Sequence, residues 1–172
     1  MTEADFIHTI REGWSVEGRV TEALLLEAVE ATRRYPESAQ LWRLRGDLLR
    51  IVGPEQDPSD LGPLQCYEMA VTLAPHHAEI HQAIGDYYDA CLGDLCAAER
   101  AFRMALDRGG SGATFTGLAR VLAERGKKRE ALVLLSRERC PVASDSDVCS
   151  MREQIECGRF DRPWDSDSGV GY

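Results

Sequence analysis

Three stretches share one pattern that decides the fold: LWRLRGDLL (41–49), IHQAIGDYY (80–88) and TFTGLARVL (114–122). Each stretch has a small residue at its sixth position, namely Gly46, Gly85 or Ala119. A bulky residue follows three positions later, at Leu49, Tyr88 or Leu122. Small residues let two helices approach closely, and bulky ones fill the space beside them. The pattern therefore predicts that each stretch is the first helix of a hairpin that packs on the next hairpin.

A second helix is predicted after each stretch. Its small and bulky markers are Tyr67 and Ala70 in the first hairpin, Ala98, Phe102 and Ala105 in the second, and Ala131 and Leu135 in the third. The spacing from Gly85 to Ala119 is 34 residues, whereas that from Gly46 to Gly85 is 39 residues. We attribute the excess to a longer turn at 53–60, which is rich in glycine, proline and aspartate.

These residues resemble the tetratricopeptide repeat. Clear repeats are expected at about 38–75, 76–109 and 110–139, with a degenerate hairpin at about 3–36, which together make up most of the chain. The resemblance implies an all-α fold, a right-handed superhelical α-solenoid of tetratricopeptide-like (TPR-like) helix hairpins. The chain departs from the family pattern in its long first turn, one extra residue near Leu92, Glu138 in place of a small residue, and no proline after the last hairpin.

Apolar periodicity predicts nine helices within a single helical domain at 1–157. They are expected at 3–13, 19–34, 38–52, 60–74, 78–91, 94–108, 112–125, 127–137 and 146–157. The last one follows an acidic capping cluster and places Val148, Met151 and Ile155 on one face. We therefore expect it to cap the C-terminal end of the solenoid. Residues 158–172 are polar and rich in glycine and serine, and they are predicted to form a flexible tail.

In tetratricopeptide arrays the first helices of the hairpins line a concave groove, and the resemblance implies that a partner binds there. The corresponding positions are mostly charged: Arg43, Asp47, Arg50, Gln82, Asp86, Asp89, Thr116, Arg120 and Glu124. The alternative is that this helix face is simply solvated. The clamp with which some members hold the C-terminal carboxylate of a chaperone is not expected. Asp47 would repel a carboxylate, and Ala83 and Gly117 offer no side-chain donor.

The net charge of −9 over 172 residues disfavours nucleic acid as a partner. No apolar run reaches the roughly 20 residues that a membrane span needs. The first residues are also unlike a signal peptide, so we expect a cytoplasmic protein without a membrane partner. Residues 111–140 nevertheless sum to +4. We interpret this basic segment as a solvated face, with a site for an acidic partner or for the chain's own acidic tail as the alternative.

Two groups of side chains invite a metal-binding interpretation. His76, His77 and His81 lie close together, and a spacing of four residues can place two imidazoles on one helix face. No third ligand is specified, so we predict an ordinary turn and helix start, with neither a metal nor another cofactor. The six cysteines are Cys66, Cys91, Cys96, Cys140, Cys149 and Cys157, without a Cys-x-x-Cys pair. We interpret them as reduced thiols that act as apolar filler.

The sequence contains no phosphate-binding loop, no nucleophile elbow and no His-Glu-x-x-His zinc motif. We therefore expect a non-enzymatic interaction module or scaffold that holds a peptide or protein segment in the groove. A second hypothesis is a small acidic chaperone for a secreted or aggregation-prone client, by loose resemblance to the translocator chaperones of bacterial secretion systems. A third is a metal-binding or enzymatic protein that uses the three histidines. A homodimer formed through uncovered apolar surface also remains open.

Overall fold

The structure, a computed structural model, describes residues 1–17 and 20–161. Within these ranges the chain forms nine α-helices and no strand. Helices α1 to α9 span Glu3–Glu17, Glu22–Arg34, Ala39–Val52, Pro63–Leu73, Ala78–Tyr87, Leu95–Leu106, Gly112–Glu124, Lys128–Leu134 and Ser146–Glu156. The prediction of an all-helical chain with nine helices is confirmed for this part of the sequence. None of these helices is long and apolar enough to cross a membrane.

Side-chain caps fix where three of the helices begin. Thr21 accepts a hydrogen bond from the N–H of Leu24 at 3.2 Å, and Ser38 accepts one from the N–H of Leu41 at 3.3 Å. The carboxylate of Asp94 accepts from two backbone N–H groups in the first turn of α6. Each cap satisfies N–H groups that have no partner inside the helix, which explains why α2, α3 and α6 start close to their predicted positions.

Each helix packs against the next one along the chain. In addition, α1 contacts α3, α3 contacts α5, and α5 contacts α7. The first helices of the predicted hairpins therefore lie side by side. Buried apolar side chains form one core cluster from α1 to the start of α4 and another from α6 to α9. Successive helical hairpins pack together through contacts of this kind, between helices that are close in sequence.

Two glycines let the paired helices approach closely, as predicted. A Cβ at Gly46 would lie 2.6 Å from the ring of Tyr67 on α4, and one at Gly85 would lie 2.9 Å from the ring of Phe102 on α6. Both rings are completely buried. The same contact is thus made in two successive hairpins, with an aromatic ring of the second helix lying against a glycine of the first.

The extra residue near Leu92 is accommodated in a π-helical turn. Helix α5 continues into a π segment at Tyr88–Leu92, and Gly93 ends it in the left-handed conformation with a φ of 64°. A π turn takes up one residue more than an α turn without interrupting the helix. The predicted helix at 78–91 is therefore an α-helix followed by a π turn, and the buried Asp89 belongs to that turn.

A buried ion pair holds the long turn at 53–60. Arg45 on α3 donates from Nε and Nη2 to the two carboxylate oxygens of Asp57, at 2.8 and 2.6 Å, and both side chains are buried. Arg45 also donates from Nη1 to Thr32 Oγ1 on α2 at 2.9 Å. Because a bidentate arginine–carboxylate pair has a fixed geometry, it ties this turn to the helices although the turn is rich in helix-breaking residues.

Helix α8 is shorter than predicted, because it ends at Leu134 rather than near 137. Arg152 on α9 donates from Nη2 to the carbonyl oxygen of Leu135, directly after that end. The last carbonyl groups of a helix lack partners within it, and an arginine can supply the missing donor. The early end of α8 is therefore stabilised by a tertiary contact.

Helix α9 packs on α7 and α8. Val148 and Ile155 are buried, and Met151 packs against the same core, so the predicted apolar face is confirmed. The acidic residue at its N-cap, Asp145, makes no side-chain capping hydrogen bond, so that part of the expectation is wrong. Of the predicted tail at 158–172, residues 162–172 lie outside the described residues.

Candidate functional site

A polar cleft of about 620 Å³ lies among α1, α3, α5 and the turn before α7. Five of the nine predicted groove residues line it: Arg43, Asp47, Arg50, Gln82 and Asp86. The other lining residues are Arg11, Trp14, His77, Ala78, Glu79, Ala83, Gly109 and Ser111. The structure therefore brings together the predicted residues of the first two repeats, with Asp89 as the exception.

Asp47 is the most strongly held carboxylate of the cleft. Its Oδ2 accepts a hydrogen bond from Arg43 Nη1 at 2.5 Å, and its Oδ1 accepts one from the buried Tyr67 hydroxyl at 2.9 Å. Burial raises the pKa of Asp47, whereas Arg43 and the hydrogen bond from Tyr67 act in the opposite direction. Arg43 and Asp47 therefore form a preorganised pair in the cleft wall.

Arg50 lies one helical turn from Asp47 and is only partly engaged. Its Nε is buried and has no hydrogen-bond partner among the described residues. Its positive charge lowers the pKa of both Asp47 and Asp86, although burial is the larger effect and raises both values. The guanidinium of Arg50 thus lies near two carboxylates, that of Asp47 on the same helix and that of Asp86 on α5.

Gln82 connects the cleft to α7. Its Oε1 accepts a hydrogen bond from Thr114 Oγ1 at 2.6 Å and a longer one from Ser111 Oγ at 3.4 Å. These bonds join the middle of α5 to the beginning of α7. Gln82 is thereby fixed in position at the edge of the cleft.

The remaining four predicted residues lie outside this cleft. Asp89, in the π turn, forms an ion pair with Arg120 on α7, and Arg120 also lies 3.9 Å from Glu124. Burial raises the pKa of Asp89, and Arg120 opposes this effect. Thr116 donates locally, to the carbonyl oxygen of Ala113 at 3.0 Å. The pair of Asp89 with Arg120 joins two elements, and none of the four residues lines the cleft.

Sequence reasoning missed the contribution of α1 and of the start of α5. Arg11 and Trp14, one turn apart on α1, line the cleft together with His77 and Glu79. The repeat pattern could not reveal Arg11 and Trp14, because α1 lies in the degenerate hairpin, where groove positions have no clear counterpart. The contact of α1 with α3, which brings these residues to the cleft, is visible only in the three-dimensional packing.

Part of the basic segment has a structural role. Glu99 on α6 is 2% exposed, and its carboxylate forms ion pairs with Arg103, Arg125 and Lys127. A buried carboxylate needs such partners to offset the loss of hydration. Arg125 and Lys127 are therefore engaged within the chain. Lys128 pairs with Asp161 at 3.3 Å, at the beginning of the predicted tail.

The histidines are not gathered into a metal site in the described part of the chain, where no group of three potential ligands occurs. The ring Nε2 of His81 lies 2.9 Å from the carbonyl oxygen of Pro75, which also accepts from Arg108 Nε at 2.8 Å. His76 and His77 are exposed at the turn before α5. His81 thus helps to fix the junction between two hairpins.

The cysteines differ in their surroundings. Cys66 and Cys140 are buried, and burial raises the pKa of the Cys66 thiol to about 12. For these two, the interpretation as apolar filler is confirmed. It is wrong for Cys91, Cys96 and Cys157, which are exposed. No disulfide joins any of the six thiols, all of which lie within the described residues.

No protein-family model matches this chain. Among curated proteins there is likewise no match.

Proposed function

We propose that this chain is a protein-interaction module. In this proposal, TPR-like hairpins form a right-handed α-solenoid and hold a peptide or protein segment along their first helices. The observation that carries it is the shared cleft, to which α1, α3 and α5 each contribute polar side chains. Asp89, Thr116, Arg120 and Glu124 would extend the binding surface towards α7.

The chemistry of the cleft suits a peptide that carries both charge signs. Arg11 and Arg50 supply donors, Glu79 and Asp86 supply acceptors, and Trp14 adds an aromatic surface. The cleft volume falls within the range of about 300–1,000 Å³ that is usual for ligand sites. We propose that these groups hold a partner through side-chain contacts and perform no catalytic step.

The test reverses two charges at the edge of the cleft. We expect Arg11→Glu combined with Glu79→Lys to abolish capture of the partner, because both residues line the cleft and the total charge is unchanged. Arg43 is left intact, because its reversal would leave the buried carboxylate of Asp47 without its ion pair and would destabilise the fold. Affinity capture followed by mass spectrometry measures the outcome.

A matched control reverses charges away from the cleft. Arg129→Glu combined with Glu138→Lys makes the same exchange at exposed positions near α8. A partner that binds the cleft is captured by the wild type and by the control, and is lost with the cleft variant. Equal capture by all three proteins, with unchanged far-ultraviolet circular dichroism, would show that the cleft is not the binding site.

A further inference from the structure

A second concave surface lies between α4 and α6, outside the peptide-binding cleft. It is a groove of about 420 Å³, and both helices that form its walls pack against α5, which forms the floor. The walls are built from residues at helical spacing, namely Glu68, Val71 and Thr72 on α4 and Ala97, Arg100, Ala101 and Met104 on α6. The floor consists of His81, Ile84 and Tyr88. We call this surface the α4–α6 groove.

The α4–α6 groove is mainly apolar, and its polar floor and wall groups are largely satisfied. Met104 is 41% exposed on one wall. The hydroxyl of Thr72 donates to the carbonyl oxygen of Glu68 at 2.8 Å, and His81 is bound to Pro75. On α4, beside the groove, Met69 and Leu73 are 42% and 39% exposed. A cluster of partly exposed apolar side chains of this kind is typical of a protein-binding surface.

Opposite charges stand on the two walls of the groove. Glu68 projects from α4 and Arg100 from α6, and both residues are exposed. Neither side chain has an ion-pair partner among the residues that the structure describes, and the two do not pair with each other across the groove. When two copies of such a groove face each other across a two-fold axis, the acidic wall of each copy meets the basic wall of the other.

We propose that the α4–α6 groove binds a second copy of this chain in a two-fold symmetric dimer. With the symmetry axis along the groove, α4 of each copy faces α6 of the other, and Glu68 of each copy pairs with Arg100 of the other. In such an interface a contact between two residues is made twice. Met104 of each copy, on the α6 wall, then lies against α4 of the other, where Met69 and Leu73 are exposed.

The opposite charges on the two walls favour a second copy of this chain over an unrelated partner. A groove with walls of one charge sign would call for a partner of the opposite sign, whereas this one carries both signs. The two pairs are partly exposed, so each adds modest stability and mainly sets the orientation. The dimer covers the face of α5 that carries His81 and Ile84 and leaves free the face that carries Gln82 and Asp86 in the cleft. It does not depend on the peptide-binding proposal.

The experiment exploits the symmetry of the predicted pairs. Sedimentation equilibrium over a series of concentrations measures the mass of the wild-type chain and of full-length Glu68→Arg, Arg100→Glu and the double variant. A single reversal places like charges together at two sites per dimer, and we expect it to weaken dimerisation on the order of tenfold or more. The double variant exchanges both walls and should dimerise like the wild type, at twice 19.1 kDa.

Each outcome decides the proposal. A dissociation constant of the dimer that rises by about tenfold or more in both single variants and returns to the wild-type value in the double variant supports the two-fold contact. A wild type that stays monomeric at its highest attainable concentration overturns the proposal, as does a dissociation constant that both single reversals leave unchanged. Failure of the double variant to dimerise, with a far-ultraviolet spectrum like that of the wild type, also overturns it.

Discussion

Asp47, Asp86 and Asp89 are carboxyl groups that have lost much of their hydration among the helices. Burial raises the pKa of each, and arginines on the same surface act in the opposite direction. A merely solvated helix face, the alternative considered for the groove positions, would leave such groups in water. Asp47 is held by Arg43 and by the Tyr67 hydroxyl, and Asp89 pairs with Arg120.

The raised pKa of Asp86 predicts a pH dependence of stability. The folded chain keeps this proton to a higher pH than the unfolded chain does. The stability that Asp86 contributes is therefore fully present below the ordinary aspartate pKa, and it is lost as the pH rises through the raised value. We expect Asp86→Asn, which cannot ionise, to gain stability relative to the wild type between about pH 3 and pH 7. Urea unfolding across that range measures the difference.

The control for this prediction is Asp107→Asn, the same chemical change at an exposed residue directly after α6. The difference between its unfolding profile and that of the wild type shows what removal of one exposed carboxylate does on its own. Parallel profiles for the wild type and Asp86→Asn would contradict the account, because they would mean that Asp86 titrates alike in the folded and the unfolded chain.

At the scale of elements, the hairpin pattern in the sequence predicted most of what the structure shows. The nine helices follow from apolar periodicity, and the glycine contacts follow from the recurring small residue at Gly46 and Gly85. The sequence showed an extra residue near Leu92, but not that a π turn accommodates it. The early end of α8 did not follow either, because it depends on a tertiary contact, that of Arg152 with the Leu135 carbonyl oxygen. The helix propensities of neighbouring residues do not indicate such tertiary contacts.

The contact between Gly85 and Phe102 predicts that Gly85→Ala destabilises the protein, although alanine favours helices over glycine by about 1 kcal/mol. The new Cβ would lie 2.9 Å from a buried ring, and overpacking costs about 1–3 kcal/mol. The expected net loss in the free energy of unfolding is on the order of 1 kcal/mol, measured by urea denaturation.

A double-mutant cycle with Phe102→Leu isolates this contact. The smaller side chain makes room for the Cβ, so Gly85→Ala should cost less in the Phe102→Leu background than in the wild type. The expected coupling is on the order of 1 kcal/mol. Strictly additive effects would mean that the two helices do not meet at these residues.

At the scale of the whole molecule, the first helices and the second helices present different surfaces. The first helices form the polar cleft, of which the sequence predicted the α3 and α5 walls. It did not predict the α1 wall with Arg11 and Trp14, because α1 falls outside the clear repeats. The α4–α6 groove was also not predicted, since a groove between two second helices depends on how far successive hairpins stand apart.

The most direct test of the central claim, that the cleft holds a peptide or protein segment, is site-specific photocrosslinking. A benzoylphenylalanine at position 14, where Trp14 lines the cleft, is compared with the same group at the exposed position 129 near the other end of the chain. The account predicts that the captured partner is crosslinked from position 14 and not from position 129. A partner crosslinked from position 129 alone would contradict it.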